Sequence, residues 1–308
     1  MSIQSLSIVV PSKRCINNCK FCVSRTHKDI VYEDKISNGI KISKEKSNFK
    51  YSFSSPSDLR YRKALRYAKE LGCTTVMLTG ESEPQQNMPF LRWFLNLNSL
   101  MNNLFNNIEI QTTGKGLDKD TIFDLAERGI NTFSISVSSF NDLTNNAIIT
   151  NNPFLDSQNH PTDLKKLCSW IKNAGCLLRL SLNMSNAFYG YDCYPPEVIF
   201  KKCKEEFGAN QVTLRQLYTS DKECPQNDWI RKNCNHEKEE EYFNYIKING
   251  IPLERLPYGN IKYSVDGVGT VADDDCMSKK NLDEIRYLIL RPDCHLYTRW
   301  DDPASIIF

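Results

Sequence analysis

Long apolar runs are absent from this chain, and so is a strong excess of charge of either sign. No stretch approaches the roughly 20 apolar residues that a membrane-spanning helix needs, and the mean hydropathy is −0.48. The N-terminus, MSIQSLSIVV, lacks the basic start and the long apolar core of a signal peptide. Lys and Arg total 39 against 37 Asp and Glu, a near-balance that argues against an electrostatic nucleic-acid binder. We therefore expect a cytoplasmic protein with neither a membrane nor a nucleic acid as a partner.

Several common catalytic patterns are also missing. The sequence has no P-loop, no Ser-His-Asp order and no pair of carboxylates suited to acid–base work. The four histidines show no metal-ligand spacing, so surface or core positions are expected for His27, His160, His236 and His295.

Cysteine, by contrast, is abundant. The 308 residues include 12 cysteines, and 40% hydrophobic residues are enough for a sizeable core. Secreted disulfide scaffolds are usually short and rich in loops, unlike this chain. We therefore expect a reducing compartment, in which the thiols stay free or hold a metal.

Strand-like and helix-like segments alternate over the first two thirds of the sequence. Apolar and β-branched runs predict six strands, at residues 6–10, 74–78, 108–113, 132–137, 177–182 and 211–218. Helical patterns lie between them, at residues 57–71, 88–104, 118–128, 162–174 and 195–207. Such alternation implies parallel βαβ units. The predicted fold class is α/β, a partial (β/α)6 TIM-like barrel, with a doubly wound open sheet as the alternative.

The regular alternation stops beyond residue 219. One helix is predicted at residues 237–248, followed by short strands with turns. We therefore predict two domains, a barrel over residues 1–220 and a small mixed C-terminal extension over residues 221–308 that covers the barrel mouth. Residues 23–56 are polar and are expected to form a long irregular excursion.

Three cysteines lie within eight residues, directly after the first predicted strand. Cys15, Cys19 and Cys22 have the spacing C-x3-C-x2-C, with no obvious fourth ligand nearby. Structural zinc sites usually take four protein ligands, often in paired C-x2-C knuckles. A [4Fe–4S] cluster normally takes four cysteines as well, and three would leave one iron open to bind a small molecule. The spacing therefore favours a catalytic iron–sulfur site over a structural zinc site.

This loop, with Phe21 before its last cysteine, resembles the cysteine motif of the radical S-adenosylmethionine (radical SAM) enzymes. The resemblance implies an oxygen-sensitive enzyme with one [4Fe–4S] cluster, held by Cys15, Cys19 and Cys22, and with SAM as its other cofactor. In that family the open iron binds the amino and carboxylate groups of SAM, and an electron from the cluster breaks a C–S bond. The resulting radical abstracts hydrogen from a substrate. No flavin or second-cluster motif is evident, so a flavodoxin or ferredoxin is the implied electron donor.

The turn after the second strand resembles the Gly-Gly-Glu-Pro turn of the same family. Here it is written Gly80-Glu81-Ser82-Glu83-Pro84, and Glu81-Ser82 stand where two glycines are common. The resemblance implies that Glu83 meets the amino group of SAM, and that Gly80 and Ser82 let the main chain approach the ligand.

The ends of the later strands resemble further SAM-binding positions, and the similarity spans about residues 5–220. The third strand ends in a T-x-G type sequence, and the fourth and fifth carry polar side chains that alternate along one face. By resemblance, serines of the fourth strand bond the SAM ribose or carboxylate, an arginine of the fifth meets the SAM carboxylate or an anionic substrate, and an apolar residue after the sixth contacts adenine. The residues so assigned are Thr112, Thr113, Ser136 (with Ser138 as second choice), Arg179, Asn183 and Leu217 (or Tyr218).

The C-terminal tail is weakly similar to that of the molybdenum-cofactor cyclase, which acts on GTP, and this suggests a nucleotide-like substrate. Cys294 replaces a turn glycine of that tail and no C-x2-C follows Cys276, so no second cluster is expected. Free thiols are preferred to a second metal site at Cys193, Cys203, Cys224, Cys234, Cys276 and Cys294. Candidate pocket residues in the tail are Tyr263, Asp266, Arg286, Arg291, His295 and Trp300.

The leading hypothesis is a radical SAM enzyme that acts on a small organic molecule. One alternative keeps the fold and the cluster but makes the chain an activase that places a radical on a partner protein. The other is a zinc-stabilised binding module without catalysis.

Overall fold

The structure is a computed structural model of the chain. It describes residues 3–12, 15–25, 31–37, 40–46, 58–150, 162–190, 194–217, 219–220, 223–255, 261–273, 285, 287–300, 302 and 304–308. The predicted roles of His27, His160, Cys193, Tyr218, Cys276 and Arg286 lie outside the described residues.

Strands and helices alternate through the first 215 residues. The strands are β1 Ser5–Val9, β2 Val31–Ser37, β3 Ile40–Lys46, β4 Thr75–Thr79, β5 Asn107–Thr112, β6 Thr132–Val137, β7 Leu177–Asn183 and β8 Gln211–Arg215. The helices are α1 Asp58–Glu70, α2 Met88–Leu100, α3 Lys119–Glu127, α4 Asp142–Thr150, α5 Leu164–Asn173, α6 Asn186–Tyr189 and α7 Pro196–Glu205. The C-terminal part contains α8 Pro225–Asn233, α9 His236–Asn249, β9 Ile251–Arg255, β10 Ile261–Val265, β11 Val268–Asp273, β12 Tyr287–Leu290 and β13 Leu296–Tyr297.

Within the described residues, one 11-stranded sheet has the order β13-β12-β1-β4-β5-β6-β7-β8-β11-β10-β9. Neighbours from β12 to β11 are parallel, and the outer pairs are antiparallel. This confirms the α/β class and the partial TIM-like arrangement. The sheet is not closed, since β13 and β9 stand at its two ends.

The two faces of the central sheet differ in chemistry. In β6, Phe133, Ile135 and Val137 are buried on one face, and serines occupy the alternate positions. Helices cover the apolar face. α5, for example, buries Leu164, Leu167, Cys168 and Ile171 on one side. The other face of β5–β8 is polar, and its residues at the carboxyl ends of the strands form the candidate site.

Two predictions need correction. The stretch expected to be an irregular excursion contains the antiparallel ribbon β2–β3, paired from Val31–Lys46 to Ser37–Ile40. The C-terminal segment contributes more than a cap, because β11 joins the sheet beside β8 and β12 joins it beside β1. Helix α8 was not predicted. The boundary near residue 220 stays a prediction.

Candidate functional site

The carboxyl ends of β1, β4, β5, β6, β7 and β8 lie along one edge of the sheet, because these neighbouring strands are parallel. Ligand sites in α/β barrels lie at this edge. The cysteine loop follows β1 there, so the topology places it beside the turns that follow β4 and β5.

Glu83 is the most extensively hydrogen-bonded side chain of this edge. It is buried, and it accepts hydrogen bonds from the Asn17 Nδ2 (2.8 Å), the Thr113 backbone N (3.0 Å), the Gln85 Nε2 (3.1 Å) and the Thr112 hydroxyl. These four donors are neutral. Among the described residues, no Lys, Arg or His forms an ion pair with Glu83. The carboxylate is therefore fixed in direction but lacks a cationic partner.

Asn17 links the cysteine loop to this carboxylate. It lies between Cys15 and Cys19, is 3% exposed, and also donates from its Nδ2 to the Thr113 hydroxyl oxygen at 2.9 Å. Its Oδ1 is buried and has no hydrogen-bond partner among the described residues. A buried acceptor without a donor is uncommon in folded proteins. Together with the Glu83 carboxylate, which has no cationic partner among the described residues, it marks a place where a ligand with N–H donors and a positive charge would fit.

The three cysteines of the loop influence one another electrostatically. Burial raises the pKa of the Cys15 thiol, and the charges of Glu83 and Cys22 raise it further. The pKa of Cys19 lies well above its usual value, mainly through burial and then through Cys22, Glu83 and Cys15. Three thiols gathered beside a carboxylate form an electron-rich donor set, and cationic iron stabilises thiolates in such a place.

The loop is anchored from outside the sheet. Backbone N–H groups of Asn18 and Lys20 donate to the carbonyls of Ile149 and Ile148 at 3.0 Å each, at the end of α4. The Phe21 ring lies 6.2 Å from the Trp229 ring of α8. Among the described residues, no group of three His, Cys, Asp or Glu side chains is close enough to coordinate one metal ion. The cysteines of a [4Fe–4S] cluster bind different irons, and the loop offers three such ligands.

The turn after β4 brings backbone unusually close to β1. Gly80 has φ +156°, and a Cβ there would lie 3.1 Å from the Val10 carbonyl oxygen. Only glycine fits this position without strain. The Ser82 Oγ is buried and lacks a hydrogen-bond partner among the described residues. Gly80 and Ser82, which were predicted to let the main chain approach SAM, thus lie in the same turn as Glu83.

The serines of β6 and the asparagine of β7 form a second group at this edge. The Asn183 Nδ2 donates to the Ser136 Oγ at 3.0 Å and to the Ser138 Oγ at 3.1 Å. Because both serine oxygens accept from this amide, their hydroxyl hydrogens are left to donate elsewhere. Leu217, two residues beyond β8, is buried and apolar.

Arg179 is not brought to this group. It is the third residue of β7, and its Nη1 lies 2.6 Å from the Glu109 Oε2. Its Nε and Nη2 donate to the Gln211 Oε1 at 2.9 and 2.7 Å. Asn183 is four residues further along the strand, or about 13 Å at the usual rise per residue. The anionic partner expected for Arg179 is therefore an internal one, Glu109.

Sequence reasoning did not assign roles to Asn17, Gln85 or Arg215. Gln85 holds Glu83 and also donates to the Lys115 carbonyl at 2.7 Å. Arg215 ends β8, and its buried Nε has no hydrogen-bond partner among the described residues. The alternation of polar residues along β8 was the signal that could have identified Arg215.

The C-terminal candidates mostly bond to one another or lie elsewhere. The Arg291 Nη2 donates to the Trp300 carbonyl at 2.7 Å, and its guanidinium lies 4.7 Å from the centre of the Tyr297 ring. Asp266 occupies the turn between β10 and β11, at the amino end of β11 and so away from the site. None of the ten cysteines that the structure describes takes part in a disulfide, and these ten include Cys203, Cys224, Cys234 and Cys294. Among the described residues, no helix is long and apolar enough to cross a membrane.

Comparison with known proteins identifies the family. The Radical SAM superfamily pattern matches residues 9–178, more than half of the chain. No curated protein matches the sequence significantly.

Solved structures agree in fold. Streptococcus suis SuiB bound to precursor peptide SuiA is similar with a TM-score of 0.55 and 13% identity, over 97% of this chain and 60% of SuiB. The anSMEcpe protein with bound AdoMet is similar with a TM-score of 0.56 and 12% identity, over 98% of this chain and 74% of that one. The chain thus spans about 60% of the length of SuiB. It belongs to the radical SAM superfamily, a family whose cofactors are a [4Fe–4S] cluster and SAM.

Proposed function

We propose that this enzyme reductively cleaves SAM and abstracts a hydrogen atom from a small organic substrate at the carboxyl edge of its sheet. The observation that carries the proposal is the hydrogen bond of Asn17, in the three-cysteine loop, to the buried Glu83 at the end of β4. This contact joins the three-cysteine loop to a carboxylate that has no cationic partner among the described residues. It supports a binding site for an ammonium group directly beside the proposed binding site for iron.

The chain's own residues divide the work of binding. Cys15, Cys19 and Cys22 would hold the cluster, which supplies the electron for C–S cleavage when bound. Glu83 and the Asn17 Oδ1 would accept hydrogen bonds from the SAM ammonium. Thr112, Thr113 and Gln85 keep the Glu83 carboxylate oriented, so it need not reorganise when the ligand arrives.

The other half of the site would hold the rest of SAM. The hydroxyls of Ser136 and Ser138 accept from Asn183, so each keeps a hydrogen with which it could donate to ribose or carboxylate oxygens. Buried Leu217 offers an apolar contact for adenine, and Gly80 and Ser82 allow close approach of the backbone. Phe21, packed near Trp229, would shield the cluster from water.

A small molecule is the proposed substrate, and the tail similarity favours a nucleotide-like one. A peptide is the second candidate, because SuiB is named with a precursor peptide and another anSMEcpe structure (TM-score 0.54, 13% identity) with a Cp18Cys peptide. An activase that acts on a partner protein is a special case of the second candidate. Electrons would come from a flavodoxin or ferredoxin in the cytoplasm.

Anaerobic reconstitution with iron, sulfide, dithionite and SAM tests the function. We expect a broad absorbance near ~400 nm and release of 5′-deoxyadenosine. Both should be lost in Cys19→Ala and kept in the matched control Cys224→Ala, a half-buried cysteine outside the loop. About one zinc per chain without sulfide, together with no 5′-deoxyadenosine, would instead favour the zinc-stabilised module.

A further inference from the structure

We propose that Arg215 binds a carboxylate group of the substrate, across the site from the cysteine loop. The inference rests on the proposed function, and it deepens that function by naming the chemistry of the substrate. Arg215 would act as a binding and specificity-determining residue, without taking part in the cleavage of SAM.

Position in the sheet places Arg215 at the site. It is the last residue of β8 and stands in register beside Asn183 of β7. Asn183 contacts Ser136 and Ser138, so the side chains at this level face the same polar surface. In β8, Val212 and Leu214 are buried on the opposite, helix-covered face, which leaves Arg215 on the polar one.

Two buried polar atoms near this level have no hydrogen-bond partner among the described residues. They are the Arg215 Nε and the Ser181 Oγ. Ser181 precedes Asn183 on the same face of β7, one layer below. Buried N–H and hydroxyl groups are normally satisfied, so two unsatisfied atoms on neighbouring strands indicate a ligand that supplies acceptors.

Arg179, on the same face of the sheet, has its charge and its hydrogen-bond donors paired with side chains of the protein itself. The Arg179 guanidinium pairs with Glu109 and bonds to Gln211, at the level of the amino ends of the strands. Arg215, on the same face of the next strand, forms no such pair among the described residues. We therefore assign Arg179 a structural role and Arg215 a role in binding an anion.

SAM's own carboxylate is the wrong anion for Arg215. The ammonium and carboxylate of an amino acid share one carbon, so they remain within about 4 Å of each other, close to one hydrogen-bond length. Glu83 is bonded to Thr113, at the end of β5. Arg215 lies three strands further, or about 14 Å along the sheet at the usual spacing between strands. The span between the two groups of SAM is therefore short against the distance from Glu83 to β8, and this favours a substrate carboxylate at Arg215.

The free Nε indicates the shape of the ligand that fits. An arginine that uses its Nε together with a terminal N–H presents two parallel donors, and this spacing matches two oxygens of a carboxylate or of a phosphate. Asp273 of β11 stands in register beside Arg215, but no ion pair of Arg215 is present among the described residues, so a ligand carboxylate would supply the acceptors that the buried Nε lacks there.

Malonate serves as the probe, and its neutral isostere malonamide as the control ligand. Calorimetric titration of the SAM-loaded holoenzyme should show saturable binding of malonate but not of malonamide. Arg215→Lys keeps the positive charge but loses the paired parallel N–H donors of the guanidinium, so we expect it to bind malonate about tenfold more weakly. Arg215→Gln should abolish binding. The matched control Arg128→Gln, at the surface beside Asp124, should bind malonate like the parent enzyme.

A second measurement separates the two possible anions. Phenylglyoxal modifies arginines, and mass spectrometry after digestion reports the rate at Arg215 relative to that at Arg231, which is exposed on α8. Malonate should slow the reaction at Arg215 at least threefold, whereas SAM alone should leave it unchanged. Protection by SAM alone would assign Arg215 to the cofactor and overturn the inference. Absence of malonate binding would overturn it too.

Whether SAM itself binds tests the proposed function separately from the role of Arg215. If SAM fails to bind the reconstituted enzyme, the proposed function fails, and the malonate titration of the SAM-free protein still tests the arginine. Binding of SAM without any malonate site would leave the proposed function standing and remove the substrate inference alone.

Discussion

Replacement of Asn17 by alanine should weaken SAM binding while the iron content stays unchanged. The side chain donates to the buried Glu83 at 2.8 Å and to Thr113 at 2.9 Å, and its Oδ1 is the unpartnered acceptor of the loop. A hydrogen bond to a charged group contributes about 1.5–3 kcal/mol. Loss of the ammonium's second acceptor, and of a donor that orients Glu83, should therefore weaken SAM binding about 10- to 100-fold.

The assay is calorimetric titration of reconstituted enzyme with SAM and with 5′-deoxy-5′-methylthioadenosine, which lacks the amino acid end. Asn17→Ala should lose affinity for SAM only, because the contact lies at the ammonium. Asn18→Ala is the matched control, since this neighbour is exposed and its anchor to Ile149 uses backbone atoms. Equal SAM affinity in the two variants, or an equal loss for both ligands, would refute the assignment of Asn17.

Three further predictions concern the frame of the site. Glu109→Gln should lower the free energy of unfolding, measured by urea titration, by about 1–3 kcal/mol, because it removes the charge that faces Arg179. The double variant Glu109→Gln with Arg179→Met should recover part of this loss, and full additivity of the two single losses would count against the ion pair. Gly80→Ala should destabilise by about 1–3 kcal/mol, and by more than Gly129→Ala, which also has positive φ but no atom within 4 Å of a new Cβ; equal losses would show that the approach of Val10 is unimportant. Burial raises the pKa of the Cys73 and Cys168 thiols to about 12. The stability that these thiols contribute is therefore present below their unfolded pKa near 9.0 and is lost as the pH rises towards 12. Between about pH 8 and 10.5, the unfolding midpoint should fall less steeply with pH in Cys73→Ala than in the parent protein, and parallel curves would contradict this.

The alternation of strands and helices was predictable because it is written in local side-chain patterns. Ser134, Ser136 and Ser138 alternate with buried apolar residues, and this pattern identifies both the strand and its polar face. The cysteine spacing and Glu83 were identified for the same reason, since their signals lie within a few residues. The structure brings Glu83, Thr112 and Thr113 into one hydrogen-bonded group.

Partners distant in the sequence were not predictable in this way. Arg179 and Arg215 look alike in sequence, each on a strand with alternating polar residues. The register that sets Glu109 near Arg179 joins residues 70 positions apart, and no local pattern reports it. The β2–β3 ribbon was missed although Ile40 and Ile42 alternate with lysine, because the abundance of charge outweighed the short period-2 signal.

The distribution of satisfied and unsatisfied polar atoms supports the proposed position of the ligand site at the carboxyl ends of the strands. At the amino ends of β5, β7 and β8, Glu109, Arg179 and Gln211 satisfy one another. Towards the carboxyl ends, the Ser181 Oγ and the Arg215 Nε are left without partners among the described residues. Each such atom costs about 1–3 kcal/mol, and valine at position 181 would avoid that cost. Among the described residues, the polar side chains of this face are thus paired at the amino ends of the strands and only partly paired at the carboxyl ends, so a ligand bound at the proposed site would complete hydrogen bonds that these residues leave open.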